Sequence, residues 1–202
     1  MKTDQHQDSF IKFNCHLIKD KIVVPSEIFT PLNYWRNELW LKTLIGAYHD
    51  GIGYGNISAR VPQRDRFYIS GTATGGIPEL DHFHYPLVER CDTAFNALWC
   101  RGLIKASSES MSHAAIYSAI PEVGAVVHIH SRKLWDKYVD ALPTTDRNVQ
   151  YGTPEMASEI GRLMTHSNTL EKKVIVMGGH DEGIISFGKT VEEAALAVLN
   201  LE

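Results

Sequence analysis

Two histidines one residue apart, His128 and His130, close the stretch EVGAVVHIHS. Ala125 to His130 alternates like a β-strand, and a side-chain period of two points both imidazoles to one face. Two neutral imidazoles side by side are half of a site for a divalent metal ion. Spacing alone does not decide the matter, because a second pair, His82 and His84, stands in ELDHFHY. That pair lies in an acidic, proline-containing loop with no third partner in view, and is expected to be a surface or packing pair. A catalytic zinc site needs three protein ligands and an open position. His180 is the best candidate for the third ligand: it follows the apolar run KVIVMGG, where Gly178 and Gly179 let backbone approach closely. The alternative is an exposed loop histidine.

A second constellation is KASSESMSH, which places Ser107, Ser108 and Glu109 at the start of a helix. One reading is an ordinary cap, with a serine closing the helix N-terminus and Glu109 favoured by the dipole. The other is an anion site of two hydroxyls and free backbone N–H groups, with the glycine-rich loops GYGNIS and SGTATGG supplying further donors. Glu109 and His113 share a helix face four residues apart, so His113 either orients the carboxylate or packs.

These residues need elements to position them. A helix is expected after FTPLNYW, with Thr30 as cap and Pro31 at the first helical position, running to a stop near Gly51. ISARV and RFYIS read as a hairpin joined at PQRD, and HYPLVERCD and AFNALWC as further strands. SSESMSHAAIYSAI reads as a helix ending before Pro121. The histidine strand follows, then a helix over SRKLWDKYVDAL, and another over TPEMASEIGRLM with Thr153 and Pro154 in cap and first-turn positions. The strands KVIVMGG and IISFG flank the loop at His180. A last helix starts at Thr190, where TVEE offers a capping box with Glu193. Strand pairs interspersed with helices predict one mixed or antiparallel sheet covered on both faces, an α/β fold of three layers.

Composition narrows the function. The chain has 202 residues, 44% of them hydrophobic, enough for one substantial core, and the whole of 1–202 is expected to be a single domain. A net charge of −4 with no basic run excludes the electrostatic footprint of a nucleic-acid binder. Cys15, Cys91 and Cys100 form no CxxC and are odd in number, so they are expected to be reduced thiols in the cytoplasm. The N-terminus carries no signal core, and no apolar run approaches a membrane span. Leu201-Glu202 is compatible with a cloning scar, which leaves the native C-terminus open.

Six stretches in order, GNIS at Gly55–Ser58, GTATG at Gly71–Gly75, SSE at Ser107–Glu109, HIHS at His128–Ser131, YGTPEMA at Tyr151–Ala157 and the loop at His180, resemble the class II aldolase/adducin head family over roughly residues 35–194. The resemblance implies an α/β/α sandwich around a mainly antiparallel sheet, assembled as a homotetramer with active sites at subunit interfaces. It implies zinc, or another divalent metal, on His128, His130 and His180, and Glu109 as the catalytic acid/base. It also implies phosphate binding by Asn56, Thr74, Gly75, Ser107 and Ser108. The activity it implies is carbon–carbon lysis of a small ketose, a sugar phosphate, through an enediolate stabilised by zinc. Dehydratases, decarboxylases and epimerases share the family, though the epimerases carry Asp where this chain has Glu109. A member of another kind, the adducin head, is a non-catalytic interaction module lacking a working triad.

Two features depart from the pattern. The usual His-Gly at the third ligand is His180-Asp181-Glu182-Gly183 here, and these two carboxylates either orient His180 or repel an anionic substrate. The tyrosine that several aldolases contribute from a C-terminal tail has no counterpart before Glu202.

Overall fold

A computed structural model describes residues 14–93 and 95–202. The expectation of no export signal rests largely on the first 13 residues and lies outside that range. Among the described residues no helix is long and apolar enough to cross a membrane.

The elements run β1 (Asn14–Lys19), α1 (Ser26–Leu41), β2 (Gly46–Ala47), β3 (Gly53–Tyr54), β4 (Asn56–Arg60), β5 (Phe67–Ile69), β6 (Leu87–Asp92), β7 (Ala97–Gly102), α2 (Ser110–Ala119), β8 (Ala125–His130), α3 (Arg132–Tyr138), α4 (Pro154–Leu163), α5 (Ser167–Lys172), β9 (Val174–Val176), β10 (Gly183–Gly188) and α6 (Val191–Leu199). Eight strands form one sheet in the order β1-β7-β6-β5-β4-β8-β10-β9. All its strand pairs are antiparallel except β1 with β7. β2 and β3 form a separate small hairpin.

Alternation along β8 divides the core in two. Ala125, Val127 and Ile129 pack with Ile57, Leu32, Leu39, Ala194 and Val198, under α1 and α6. Val126 joins Ile116, Tyr117, Met156, Ile160 and Ile185 under α2 and α4. Helices therefore cover both faces, giving the three-layer α/β/α arrangement the sequence predicts. Fully burying a side chain such as Leu32 or Leu39 contributes about 1.5–3 kcal/mol. His128 and His130 share parity with Val126 and so face the α2/α4 side.

The caps foreseen at Thr153 and Thr190 form: each threonine hydroxyl accepts from the backbone three residues on, at Met156 and Glu193. The reciprocal half of the second box differs, because the Glu193 carboxylate accepts from Lys189 N at 2.6 Å and pairs with Lys173. The first helix also differs. It begins at Ser26 after Pro25, makes no side-chain cap, carries Pro31 inside, and ends at Leu41 well before Gly51. Three elements escaped the sequence reading: β1, α5 and the β2–β3 hairpin. Leu201 and Glu202 are engaged, the first accepting from Tyr138 and the second pairing with Lys42.

Candidate metal centre

β8 delivers His128 and His130, and the turn between β9 and β10 delivers His180. The register sets Ile185 opposite His128 and Gly183 opposite His130, so the loop carrying His180 closes over the end of β8. Close packing makes this turn possible: a Cβ on Gly179 would stand 1.8 Å from the Val149 carbonyl oxygen. One ligand nitrogen from each of the three histidines lies within 4.8 Å of the others. His130 Nε2 and His180 Nε2 are 3.0 Å apart.

The donor chemistry suits a metal ion. His128 Nε2 is buried with no hydrogen-bond partner among the described residues, and a buried polar atom left alone is costly unless something binds it. Burial first, then the neighbouring imidazoles, push the pKa of His128 well below the usual histidine value. Burial and His180 do the same to His130. Both rings are therefore neutral at pH 7, as a metal requires of its ligands.

Tyrosines surround the triad. Tyr151 stacks on His180 at a centroid distance of 4.1 Å, and Tyr54 on His130 at 5.4 Å. The Tyr48 hydroxyl lies 2.8 Å from His130 Nδ1 and donates to Glu182 Oε2 at 2.7 Å. Burial, with the Glu182 hydrogen bond, raises the Tyr48 pKa and keeps the phenol protonated. Of the two carboxylates beside His180, Glu182 thus reaches His130 through Tyr48, while Asp181 points away to Arg132 at 3.3 Å.

Glu109 is 4% exposed at the N-cap of α2. Ser112 donates to its Oε2 at 2.9 Å, and its Oε1 is 3.9 Å from where a Cβ on Gly152 would sit. Because Gly152 follows Tyr151, which stacks on His180, the carboxylate and the triad share one wall. His113 does not orient Glu109. It is buried, with Nδ1 2.7 Å from Ser58 Oγ, which in turn meets the Tyr117 hydroxyl at 2.7 Å. Of the two readings of His113, packing is the one realised.

The expected anion-binding residues fall into two linked loops and one strand start. Asn56 faces His128 across β4 and β8, with Nδ2 3.4 Å from His128 Nδ1. Thr74 and Gly75 sit in the loop after β5, and Ser107 and Ser108 before α2. Thr72 N donates to Lys105 O at 2.9 Å, tying the loops together. Arg36, fully buried on α1, donates to the carbonyls of Thr74 (2.9 Å), Gly75 (3.2 Å) and Pro78 (2.9 Å). Trp40 Nε1 adds a bond to Gly75 O at 3.1 Å. Ser107 Oγ accepts from Glu109 N at 3.3 Å, which is the cap-like role, and the Thr74 hydroxyl donates to Gly71 O at 2.8 Å. His82 stacks on Phe29 at 3.8 Å and His84 closes a turn with Asp81, so that pair belongs to packing.

Sequence reasoning missed Arg36, Tyr48 and Tyr54. The only available signal was a charged residue amid the apolar face of α1 and two tyrosines flanking a glycine-rich bend.

A triad of imidazoles that could hold a metal ion stands at the end of a central strand of this α/β fold, with a buried carboxylate at a helix start on the same wall. Residues 44–135 match the family described as Class II Aldolase and Adducin N-terminal domain. Methylthioribulose-1-phosphate dehydratase of Leptospira interrogans is 32% identical over 95 residues, a match spanning 43% of this chain and 38% of that protein. Among solved structures, L-fuculose 1-phosphate aldolase superposes with a TM-score of 0.64 at 16% identity, over 89% of this chain and 84% of that one. A sugar-phosphate aldolase from Thermotoga maritima gives 0.66 at 18%, over 87% and 90%. YgbL from Escherichia coli gives 0.63 at 18%, over 87% and 85%. At such identities the structural likeness establishes the fold.

Proposed function

We propose that the chain is a zinc-dependent carbon–carbon lyase acting on a small polyhydroxylated ketose that carries a phosphate. His128, His130 and His180 hold the ion and Glu109 is the acid/base. The observation that carries this reading is the convergence of three imidazole nitrogens within 4.8 Å, one of them buried and unpartnered. Three imidazole nitrogens are the donor set of a catalytic zinc site. When bound, the ion supplies Lewis-acid stabilisation of negative charge developing on a substrate oxygen. The remaining work falls to side chains. Ser112 fixes one oxygen of Glu109 and so orients the carboxylate, which moves the proton at the carbon that becomes nucleophilic. Asn56, Thr74, Gly75, Ser107 and Ser108 take the phosphate beside the N-terminus of α2. Arg36 braces their loop from behind. Assembly is read as a cytoplasmic homotetramer, which sedimentation velocity tests.

Glu109→Gln keeps size and helix start while removing the proton acceptor. Zinc content should stay near one ion per chain by elemental mass spectrometry, while turnover falls by about two to four orders of magnitude. Deuterium exchange into dihydroxyacetone phosphate, followed by NMR, isolates the proton step. Exchange as fast in Glu109→Gln as in wild type would remove Glu109 from the chemistry. Wild-type protein that takes up no metal on reconstitution would favour the adducin-like module.

A second reading, a dehydratase using the same ion and base, is favoured by the relative from Leptospira interrogans. The products separate the two: a lyase of the aldolase kind releases two carbonyl fragments, whereas a dehydratase conserves the carbon skeleton and releases water.

A further inference from the structure

Glu182 has a backbone φ of 71°, the left-handed region that a β-carbon disfavours and that glycine enters freely. A residue held there against its preference is a reason to ask what its side chain does. Glu182 is pinned on both sides: its carbonyl accepts from Ser131 N at 2.9 Å, and the next residue, Gly183, is the register partner of His130. From this position the carboxylate meets the Tyr48 hydroxyl at 2.7 Å. Tyr48 stands at the tip of the β2–β3 hairpin, where its N–H donates to Ile52 O at 2.9 Å and Gly51 turns the chain. The same hydroxyl lies 2.8 Å from His130 Nδ1.

The proton count across these three groups has one solution. A carboxylate only accepts, so the single phenolic hydrogen goes to Glu182. The Tyr48 oxygen must then accept, which requires the hydrogen of His130 on Nδ1. That tautomer leaves Nε2 unprotonated, so that its lone pair faces His180 Nε2 at 3.0 Å and is the acceptor in that contact. Imidazoles that bind metal commonly give their other N–H to an oxygen partner, which fixes ring orientation and tautomer. Here the partner is a phenol that a strained glutamate holds in place.

We propose that Tyr48 and Glu182 are positioning residues for His130, keeping it as the Nδ1–H tautomer with Nε2 presented to a metal ion. The proposal rests on the zinc reading above for its purpose and on the hydrogen-bond chain for its substance. It also accounts for Asp181-Glu182 lying between His180 and Gly183: one carboxylate serves His130 and the other is neutralised by Arg132.

Two measurements test it on the full chain. Nitrogen-15 NMR of the metal-free protein reads the His130 tautomer directly, and competition titration with a chromophoric chelator reads zinc affinity. Tyr48→Phe should move His130 away from the Nδ1–H form and weaken zinc by about 10- to 100-fold. Glu182→Gly should weaken zinc similarly yet raise the melting temperature, because it removes the left-handed strain. Glu182→Gln keeps an acceptor and should retain most of the affinity. An unchanged tautomer in Tyr48→Phe, with zinc affinity within about twofold of wild type in Tyr48→Phe and Glu182→Gly, would overturn the proposal. Wild-type protein that binds no zinc would defeat the functional reading while leaving the tautomer measurement to decide the positioning role.

Discussion

His113 makes the metal-free protein acid-labile in a way that can be measured one proton at a time. The ring is fully buried on α2 against Ser58, and burial pushes its pKa from 6.5 down to about 3. The unfolded chain regains an ordinary histidine, so between those two values it binds a proton that the folded chain refuses. Stability is then complete above pH 6.5 and is lost as pH falls toward 3, because the unfolded state binds more protons throughout that window. One proton corresponds to about 1.4 kcal/mol per pH unit, so by about pH 4.5 the loss reaches roughly 3 kcal/mol. That is a large share of a typical 5–15 kcal/mol, a range expected on the order of any globular domain. His128 and His130 add protons of the same sign, making the wild-type slope steeper still. His113→Asn keeps a polar atom near Nδ1 and removes the titration. Urea unfolding of the chelator-treated protein at several pH values below 6.5 should give a slope shallower by one proton in the variant, whatever its absolute stability. Parallel wild-type and variant curves would show that His113 is protonated in the folded state and would refute the argument from burial.

Three further outcomes are expected. Arg36→Met removes three hydrogen bonds that a buried guanidinium now makes to the carbonyls of Thr74, Gly75 and Pro78, at a cost of about 3 kcal/mol in chemical unfolding, and should also reduce stabilisation by added sugar phosphate. Gly75→Ala places a Cβ 2.0 Å from Gly46 O, so the hairpin and the loop must part; the melting temperature should fall, and any rise would contradict the close approach. Cys15, whose thiol is lowered to about 7 chiefly by the Cys100 sulfur 3.6 Å away, should be alkylated first by iodoacetamide near neutral pH, while Cys91, pushed up to about 12 by burial, stays unmodified until unfolding. Peptide mass mapping distinguishes the two, and equal labelling would refute the assignment.

What the sequence made legible was whatever depends on near neighbours. The β4–β5 hairpin, the parity of His128 and His130, and the threonine caps of α4 and α6 all follow from residues within a few positions of one another. α1 was misplaced because Thr30-Pro31 imitates a helix start, whereas Pro31 is carried inside a helix already begun at Ser26. β1 went unread because its partner β7 lies far along the chain and its own burial is slight. The three histidines were recognised as candidate ligands and Glu182 as a carboxylate beside His180, but the tyrosines around them were not. Tyr48, Glu182 and Arg36 acquire meaning only when a hairpin tip, a β-turn and a helix face arrive at the same place. His113 shows the converse: an i, i+4 relation on the helix suggested Glu109, and a strand opposite supplied Ser58 instead.

The position of β8 within the sheet has a consequence for how the chain comes off the ribosome. β8 pairs with β4, made much earlier, and with β10, made much later. Translation at about 5–20 residues per second leaves an interval of several seconds between the two. Throughout it, AVVHIH has one ladder of N–H and C=O groups open and apolar side chains on both faces, the profile of a segment prone to pair with a stranger. His180 is also absent during that interval, so only two of the three imidazoles of the triad have been made. Nascent chains stalled before Gly183 should therefore be markedly more dependent on chaperones than chains released a few residues after Gly188.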